Sequence, residues 1–362
     1  MKKTMYECHA QFLALIKLSL NLPCEIPQEL TAEVKWEEVY KECLKQSVLG
    51  IAFIGLSYLK ENLKSFQINN ALFVRWYGIA ELLKQRNKKL DNQTTYVYKV
   101  LTDQKLDATI LKGQGIASLY DKHLSQLRQP GDIDVWVKGG FSRVKKFVES
   151  YSPSDDFTYH RFHVRFFEDT EVELHHRPTL MRNLIKNNVL QKWCNSFNSE
   201  SFIYLPEKGF SIPSIEFNRI FILTHMFRHF LFEGIGLRQV IDYYYVLKAE
   251  KVRNHKQVKV LCDKFGFLRF AKAVMWVLHE KLGLEEDYLW CHPDEKEGQV
   301  LLNEILKSGN FGQFDADNNG KLPKYIQVMK HEWHLLFHYP SEVLWTPIWY
   351  LFHWGWKKWK KL

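Results

Sequence analysis

Residues 131–135 read Gly-Asp-Ile-Asp-Val, and with Trp136 and Val137 they form a strand leaving a turn. Side chains two apart on a strand share a face, about 6.7 Å apart along the backbone, so Asp132 and Asp134 point the same way. Two carboxylates so placed can converge on one or two hard divalent cations. Without a cation, burying both on a covered sheet would be unfavourable.

The flanking sequence supplies the rest of a small sheet. Residues 108–111 (Ala-Thr-Ile-Leu) are an apolar strand candidate, ended by Lys112-Gly113-Gln114-Gly115, with a helical turn or two over 116–120. Arg128-Gln129-Pro130-Gly131 turns the chain into the Asp-x-Asp strand, and Gly139-Gly140 closes it. Residues 141–151 read as an amphipathic helix with Val144, Phe147 and Val148 inward. Residues 162–167 and 170–175 form a hairpin about Glu168-Asp169, and in its second arm Glu171, Glu173 and His175 share a face. The fold class is therefore α+β.

If that arm lies beside residues 132–137, Asp132, Asp134 and Glu173 collect on one face, which is what phosphoryl and nucleotidyl transfer require of a two-ion site. The Lys112-Gly113 turn lets backbone N–H groups approach a phosphate. Lys112 and Arg128 either meet the remaining phosphate charge or pair with surface acids. His175, on the acidic face, can orient a carboxylate or act as a base.

Leu-Lys-Gly-Gln-Gly-Ile-Ala-Ser-Leu-Tyr (111–120), residues 128–137 and Val-Glu-Leu-His (172–175) together resemble the polymerase-β-type nucleotidyltransferase superfamily. More narrowly, the chain resembles a bacterial group called uncharacterised nucleotidyltransferases. Thr224-His225, His229, Gly236-Leu237-Arg238-Gln239 and Asp242 resemble that group too. The resemblance implies a mixed nucleotidyltransferase sheet with Asp132, Asp134 and Glu173 as ligands of a two-Mg²⁺ site. It implies a nucleoside triphosphate held by Lys112, Gly113, Gln114, Arg128 and Gly131. Glu173 would help deprotonate an acceptor hydroxyl, with His175 and Arg238 as accessory residues. The acceptor, hydroxyl or phosphate, is not indicated. One departure stands out: Gln114 follows Gly113 where the superfamily often has Gly or Ser. The hydroxyl that touches a phosphate is missing, and Ser118 or the backbone would have to substitute. A catalytically weak, nucleotide-binding regulatory module is therefore the alternative.

Around residues 104–178 the pattern is helical, giving regions 1–103 and 179–362. One long helix is expected over residues 69–101, and others from an N-cap at Thr31, after a cap at Ser214, and over 256–282 and 296–307. An extended piece is expected at 202–205 and a loop at 315–321. Arg238 and Asp242, four apart, form a helix-surface ion pair, or else Arg238 and His225 line the cleft. His225 and His229 have metal-ligand spacing but no third ligand, so zinc is not expected. His331, His334 and His338 are read as a helix face.

The net charge of +9 suggests an anionic partner, yet it is too diffuse to argue for duplex nucleic acid. Six cysteines lack any C-x-x-C spacing, no signal peptide is visible, and no run of eighteen uncharged apolar residues occurs, so a cytoplasmic protein is expected. Residues 345–362 combine tryptophans with Lys357, Lys358, Lys360 and Lys361. This tail is a packed C-terminal segment, a single-strand stacking surface, or a peripheral membrane contact through 343–362 that would make the chain a membrane-surface scaffold.

Overall fold

The structure, a computed structural model, describes residues 2–153, 156–310 and 324–361. Four helices precede the sheet: α1 (Lys2–Leu20), α2 (Trp36–Lys45), α3 (Leu49–Asn62) and α4 (Asn70–Asp103). α4 starts where the Asn69 side chain accepts from the N–H groups of Ala71 and Leu72 at 2.8 and 3.3 Å, satisfying first-turn donors. Its 34 residues span about 51 Å, enough to serve two cores. Leu72 and Trp76 enter a core built from helices, whereas Leu90, Val97 and Leu101 enter the core beneath the sheet.

That sheet contains β1 (Ala108–Ile110), β2 (Ile133–Val137), β3 (Arg161–Val164) and β4 (Val172–His175), in the order β1-β2-β4-β3. β2 and β4 run parallel, while β1 with β2 and β3 with β4 are antiparallel. Two short helices, α5 (Gln114–Ala117) and α6 (Lys122–Ser125), lie between β1 and β2, and α7 (Gly140–Tyr151) connects β2 to β3. Every residue of β2 is buried, as a central strand covered on both faces must be. Ile133, Val135, Val137, Val172 and Leu174 pack with Val144, Phe147 and Val148 of α7. Strand alternation leaves Asp134, Trp136, Glu173 and His175 for the opposite face. The α+β fold, with its small mixed sheet, is as expected from the sequence.

After β4 come α8 (Leu184–Ser196), the separate hairpin β5 (Phe202–Leu205) and β6 (Phe210–Pro213), and α9 (Ile215–Phe232). Next are α10 (Leu237–Ala249), α11 (His255–Phe265), α12 (Leu268–Trp276), α13 (Glu295–Ser308), α14 (Lys324–Trp333), α15 (Pro340–Val343) and α16 (Thr346–Lys361). Ser214 caps α9 by accepting from Phe217 N, and the Phe217 ring stacks on Trp136 with centroids 5.0 Å apart. α9 therefore covers the polar face of the sheet.

Helices before and after the sheet share one core, which contains Phe12 and Leu56 as well as Phe227 and Val274. Gln46 stitches them together: its Oε1 accepts from Leu237 N at 2.9 Å and its Nε2 donates to Ile305 O at 2.8 Å.

Some helix boundaries differ from expectation. α2 starts at Trp36, because the Thr31 hydroxyl donates back to Gln28 O at 2.9 Å and closes a short 3₁₀ turn instead of opening a helix. Residues 256–282 are split by Gly266, whose φ of +83° ends α11. The expected loop at 315–321 lies outside the described residues.

Candidate active site

The sheet register brings the acidic residues together. Asp134 and Glu173 are direct neighbours across the parallel β2–β4 pair, and His163 of β3 lies opposite Glu173. His175 follows Glu173 on the same face. Its Nε2 lies 2.8 Å from Asp134 Oδ1 and 3.3 Å from Glu173 Oε2, so one ring nitrogen holds both carboxylates. A carboxylate only accepts, so that nitrogen carries the proton. Asp134, Glu173 and His175 each offer a ligand atom within 4.8 Å of the others, and all three are buried. Asp132 precedes β2 and is more exposed, at the mouth of the cleft.

Two cations balance these acids. Lys112 Nζ sits 2.9 Å from Asp134 Oδ2 and 3.9 Å from Asp132 Oδ2, and Arg161 Nη1 donates to Glu173 Oε2 at 2.6 Å. Burial opposes the Lys112 charge, yet Asp132, Asp134 and Glu173 together raise its pKa above the usual lysine value. Burial likewise pushes the Glu173 carboxyl upward, but the His175 hydrogen bond, Lys112 and Arg161 outweigh it and hold the pKa at about 2. Glu173 is therefore held as a carboxylate.

The Lys112 turn is set by Gly113, which has φ +54°. A Cβ there would lie 3.1 Å from Asp132 O, so the turn lies tightly against the start of the acidic strand. Gln114 turns the other way: its side chain is buried and donates to Asp91 Oδ1 of α4 at 2.6 Å, outside the cleft lining. Ser118 donates to Gly115 O at 2.6 Å and is also absent from that lining. Neither side chain replaces the missing phosphate-contacting hydroxyl.

Arg128 is held by an acid, though not at the surface. Its Nε and Nη2 donate to the two oxygens of Asp242 at 2.7 and 2.8 Å, and the Tyr120 hydroxyl donates to the same carboxylate at 2.7 Å. The loop that carries Arg128 is fixed from behind, where Asn87 Nδ2 donates to the carbonyls of Gln126 and Arg128, both at 2.8 Å. Gly50 of α3 packs so closely that a Cβ would lie 2.2 Å from Leu127 O. Asp242 is thus a buried partner of Arg128, which corrects the surface pairing expected between Arg238 and Asp242. Arg238 is buried too, lines the cleft beside Gly131, and donates to Gln129 O at 3.1 Å.

The cleft measures about 330 Å³ and is bounded by Lys112, Gly113, Arg128, Gly131, Asp132, Arg161 and Glu173 on the sheet side. His225 and His229 of α9, Glu233 at its C-terminal end and Arg238 of α10 form the facing wall. The His225 and His229 rings meet at 4.4 Å, and burial lowers both pKa values, so they face the cleft as neutral imidazoles. Behind the site, Arg228 Nη1 contacts His160 Nε2 at 3.3 Å, and the His160 ring lies 5.5 Å from that of His175. Sequence reading missed Arg161. For Arg161 the signal was the hairpin, whose antiparallel register places it across from His175.

A Lys-Gly turn against paired buried carboxylates on a small mixed sheet is the arrangement of a nucleotidyltransferase. The chain belongs to the family described as "Uncharacterised nucleotidyltransferase", whose model matches residues 32–283, from the loop before α2 to just beyond α12. No curated protein and no solved structure matches it.

Proposed function

We propose that the protein is a Mg²⁺-dependent enzyme that moves NMP from a nucleoside triphosphate to a hydroxyl or phosphate acceptor. The juxtaposition of Asp134 with Glu173 across β2 and β4, beside the Lys112-Gly113 turn, carries this reading. The donor set fits a hard divalent ion: buried carboxylate oxygens, with Asp132 at the mouth and ammonium and guanidinium groups already balancing the negative charge. A pair of Mg²⁺ ions held by Asp132, Asp134 and Glu173 would supply charge stabilisation at the phosphates and lower the pKa of an acceptor hydroxyl. His175 orients both buried carboxylates. Arg128, engaged by Asp242, positions the turn into β2, leaving Arg238 as the cleft arginine assigned to the triphosphate.

In the transfer, the acceptor oxygen bonds to the α-phosphorus as the bond to the bridging oxygen breaks. Pyrophosphate leaves with the bonding electrons, and a hydroxyl acceptor gives up its proton to water. Incubation with α-labelled NTPs and Mg²⁺ over hydroxyl and phosphate acceptors is expected to transfer label, with EDTA abolishing it. Transfer that survives Asp132→Ala combined with Asp134→Ala would sink the assignment. Metal-dependent NTP binding without transfer to any acceptor would make the protein a regulatory module, in keeping with the orientation of Gln114. The six cysteines are all free, and we place the protein in the cytoplasm.

A second reading concerns α16. Its inner side packs Trp349 and Trp356 against Tyr159, with centroids 5.0 and 5.2 Å apart. Leu351, Trp354 and Trp359 point outward, 74%, 67% and 64% exposed, beside a lysine-rich end. Among the described residues no helix is long and apolar enough to cross a membrane. We propose that this face rests on an anionic bilayer, tryptophans at the headgroup level. Trp354→Ala with Trp359→Ala is expected to remove binding to vesicles containing phosphatidylserine while leaving NTP binding intact. Equal binding by the variant would exclude the contact.

A further inference from the structure

A second cavity, of about 390 Å³, lies beyond the other ends of the two parallel strands. β2 and β4 start beside the acidic residues and deliver Lys138 and Arg177 into this cavity shortly after they end. Trp136 lines this cavity and, beside Asp134 on β2, forms part of the partition between the two spaces.

Its chemistry differs from that of the acidic cleft. Among the described residues no carboxylate lines it, and neither Lys138 nor Arg177 forms a salt bridge there. Lys112, Arg128, Arg161 and Arg182, by contrast, each meet an acid. Lys138 Nζ instead sits 4.9 Å from the Trp136 ring centroid. Arg177 stacks at 4.2 Å over Tyr159 and donates to its carbonyl at 2.7 Å. Asp107 acts on Lys138 only from a distance, without an ion pair, so an anion entering the cavity can meet both positive charges.

The backbone adds to this. Gly139 and Gly140 both have positive φ, +103° and +78°, and open the 12-residue helix α7 with no side-chain cap and no acid in its first turn. Such a start presents unsatisfied N–H groups to an anion. His176, 6% exposed, lines the same cavity, and its Nε2 has no hydrogen-bond partner among the described residues. The remaining lining contains aromatic rings and the carboxamides of α8, such as Asn188 and Asn195.

We propose that this cavity is a second ligand site, for a small organic phosphate bearing a flat ring. The phosphate sits at the α7 start between Lys138 and Arg177, and the ring lies among the aromatic side chains. The volume suits a ligand of mononucleotide size and is too small for a polymer. The proposal does not depend on the nucleotidyl-transfer reading, since none of these residues belongs to the acidic cleft.

Calorimetric titration with phenyl phosphate and with inorganic phosphate, both in EDTA so that no metal contributes, tests the site. Phenyl phosphate is expected to bind saturably and more tightly than inorganic phosphate. Lys138→Ala with Arg177→Ala should weaken it by about a hundredfold, roughly tenfold for each charge-assisted contact. Asp134→Asn should leave it unchanged. If the double variant does not fold, Lys138→Gln alone provides the comparison, with a tenfold loss expected. The site is refuted by no saturable binding to the native protein, by unchanged binding in the Lys138 variants, or by loss of binding in Asp134→Asn. The last result would assign the phosphate to the acidic cleft.

Discussion

Asp134→Asn is expected to lower the rate of nucleotidyl transfer by about a thousandfold, the scale seen when one preorganised charge-stabilising group is removed. The asparagine keeps an oxygen that can accept from His175 Nε2, so the contact now measured at 2.8 Å can persist. What disappears is the negative charge that Lys112 meets at 2.9 Å and that a metal would need. Asp132, 3.9 Å from the same ammonium, remains and limits the loss of fold stability. Single-turnover transfer from labelled NTP, run beside a thermal melt, separates the two effects. A folded variant with less than a tenfold loss in rate would remove Asp134 from the catalytic group.

The site was legible where its logic is local. The Asp-x-Asp spacing, the Lys-Gly turn and the acidic strand each occupy a few neighbouring residues, and strand periodicity puts Glu173 and His175 on one face. The structure adds that β2 and β4 are parallel neighbours in a register that pairs Asp134 with Glu173. Long-range pairing was not legible. Arg128 and Asp242 are 114 residues apart, so nothing in the spacing announces their bidentate contact. The four-residue interval from Arg238 to Asp242 suggests a pair at the helix surface, but α10 is buried there and the Asp242 carboxylate is held by Arg128. Gln114 shows the same limit. Its departure from the superfamily pattern was visible, but its contact with Asp91 depends on α4 packing against the turn.

Helix boundaries failed for another reason. Thr31 has the composition of an N-cap, yet its hydroxyl closes the turn behind it, and only the backbone geometry decides between these uses. Over residues 256–282 the apolar spacing runs across a break, where Gly266 ends one helix and the next starts at Leu268. Apolar spacing therefore reports which residues enter the core more reliably than where one helix stops.

Acid is expected to destabilise the protein, with stability falling as pH drops from about 6 to about 4.5. Burial lowers the pKa of His176 to about 3 and of His229 to about 4, holds His160 and His225 well below the usual value, and also lowers His9 and His353. The unfolded chain protonates them near pH 6.5, whereas the folded chain does not, so each contributes stability that is lost as pH falls. Glu332 and Glu342 oppose the trend. Burial raises both to about 7, so the folded chain holds protons that the unfolded chain releases above pH 4.5, and this stabilisation grows as pH falls from 7. The lowered histidines outnumber the two raised carboxyls, so the net effect of acid is loss of stability. Urea unfolding at pH 7, 6 and 5 measures it. His176 packs edge-on to Phe141 and Phe162, so His176→Phe retains an aromatic ring while removing the titration. That variant should flatten the slope by about 1.4 kcal/mol per pH unit. An unchanged slope would mean that His176 already takes up its proton in the folded protein.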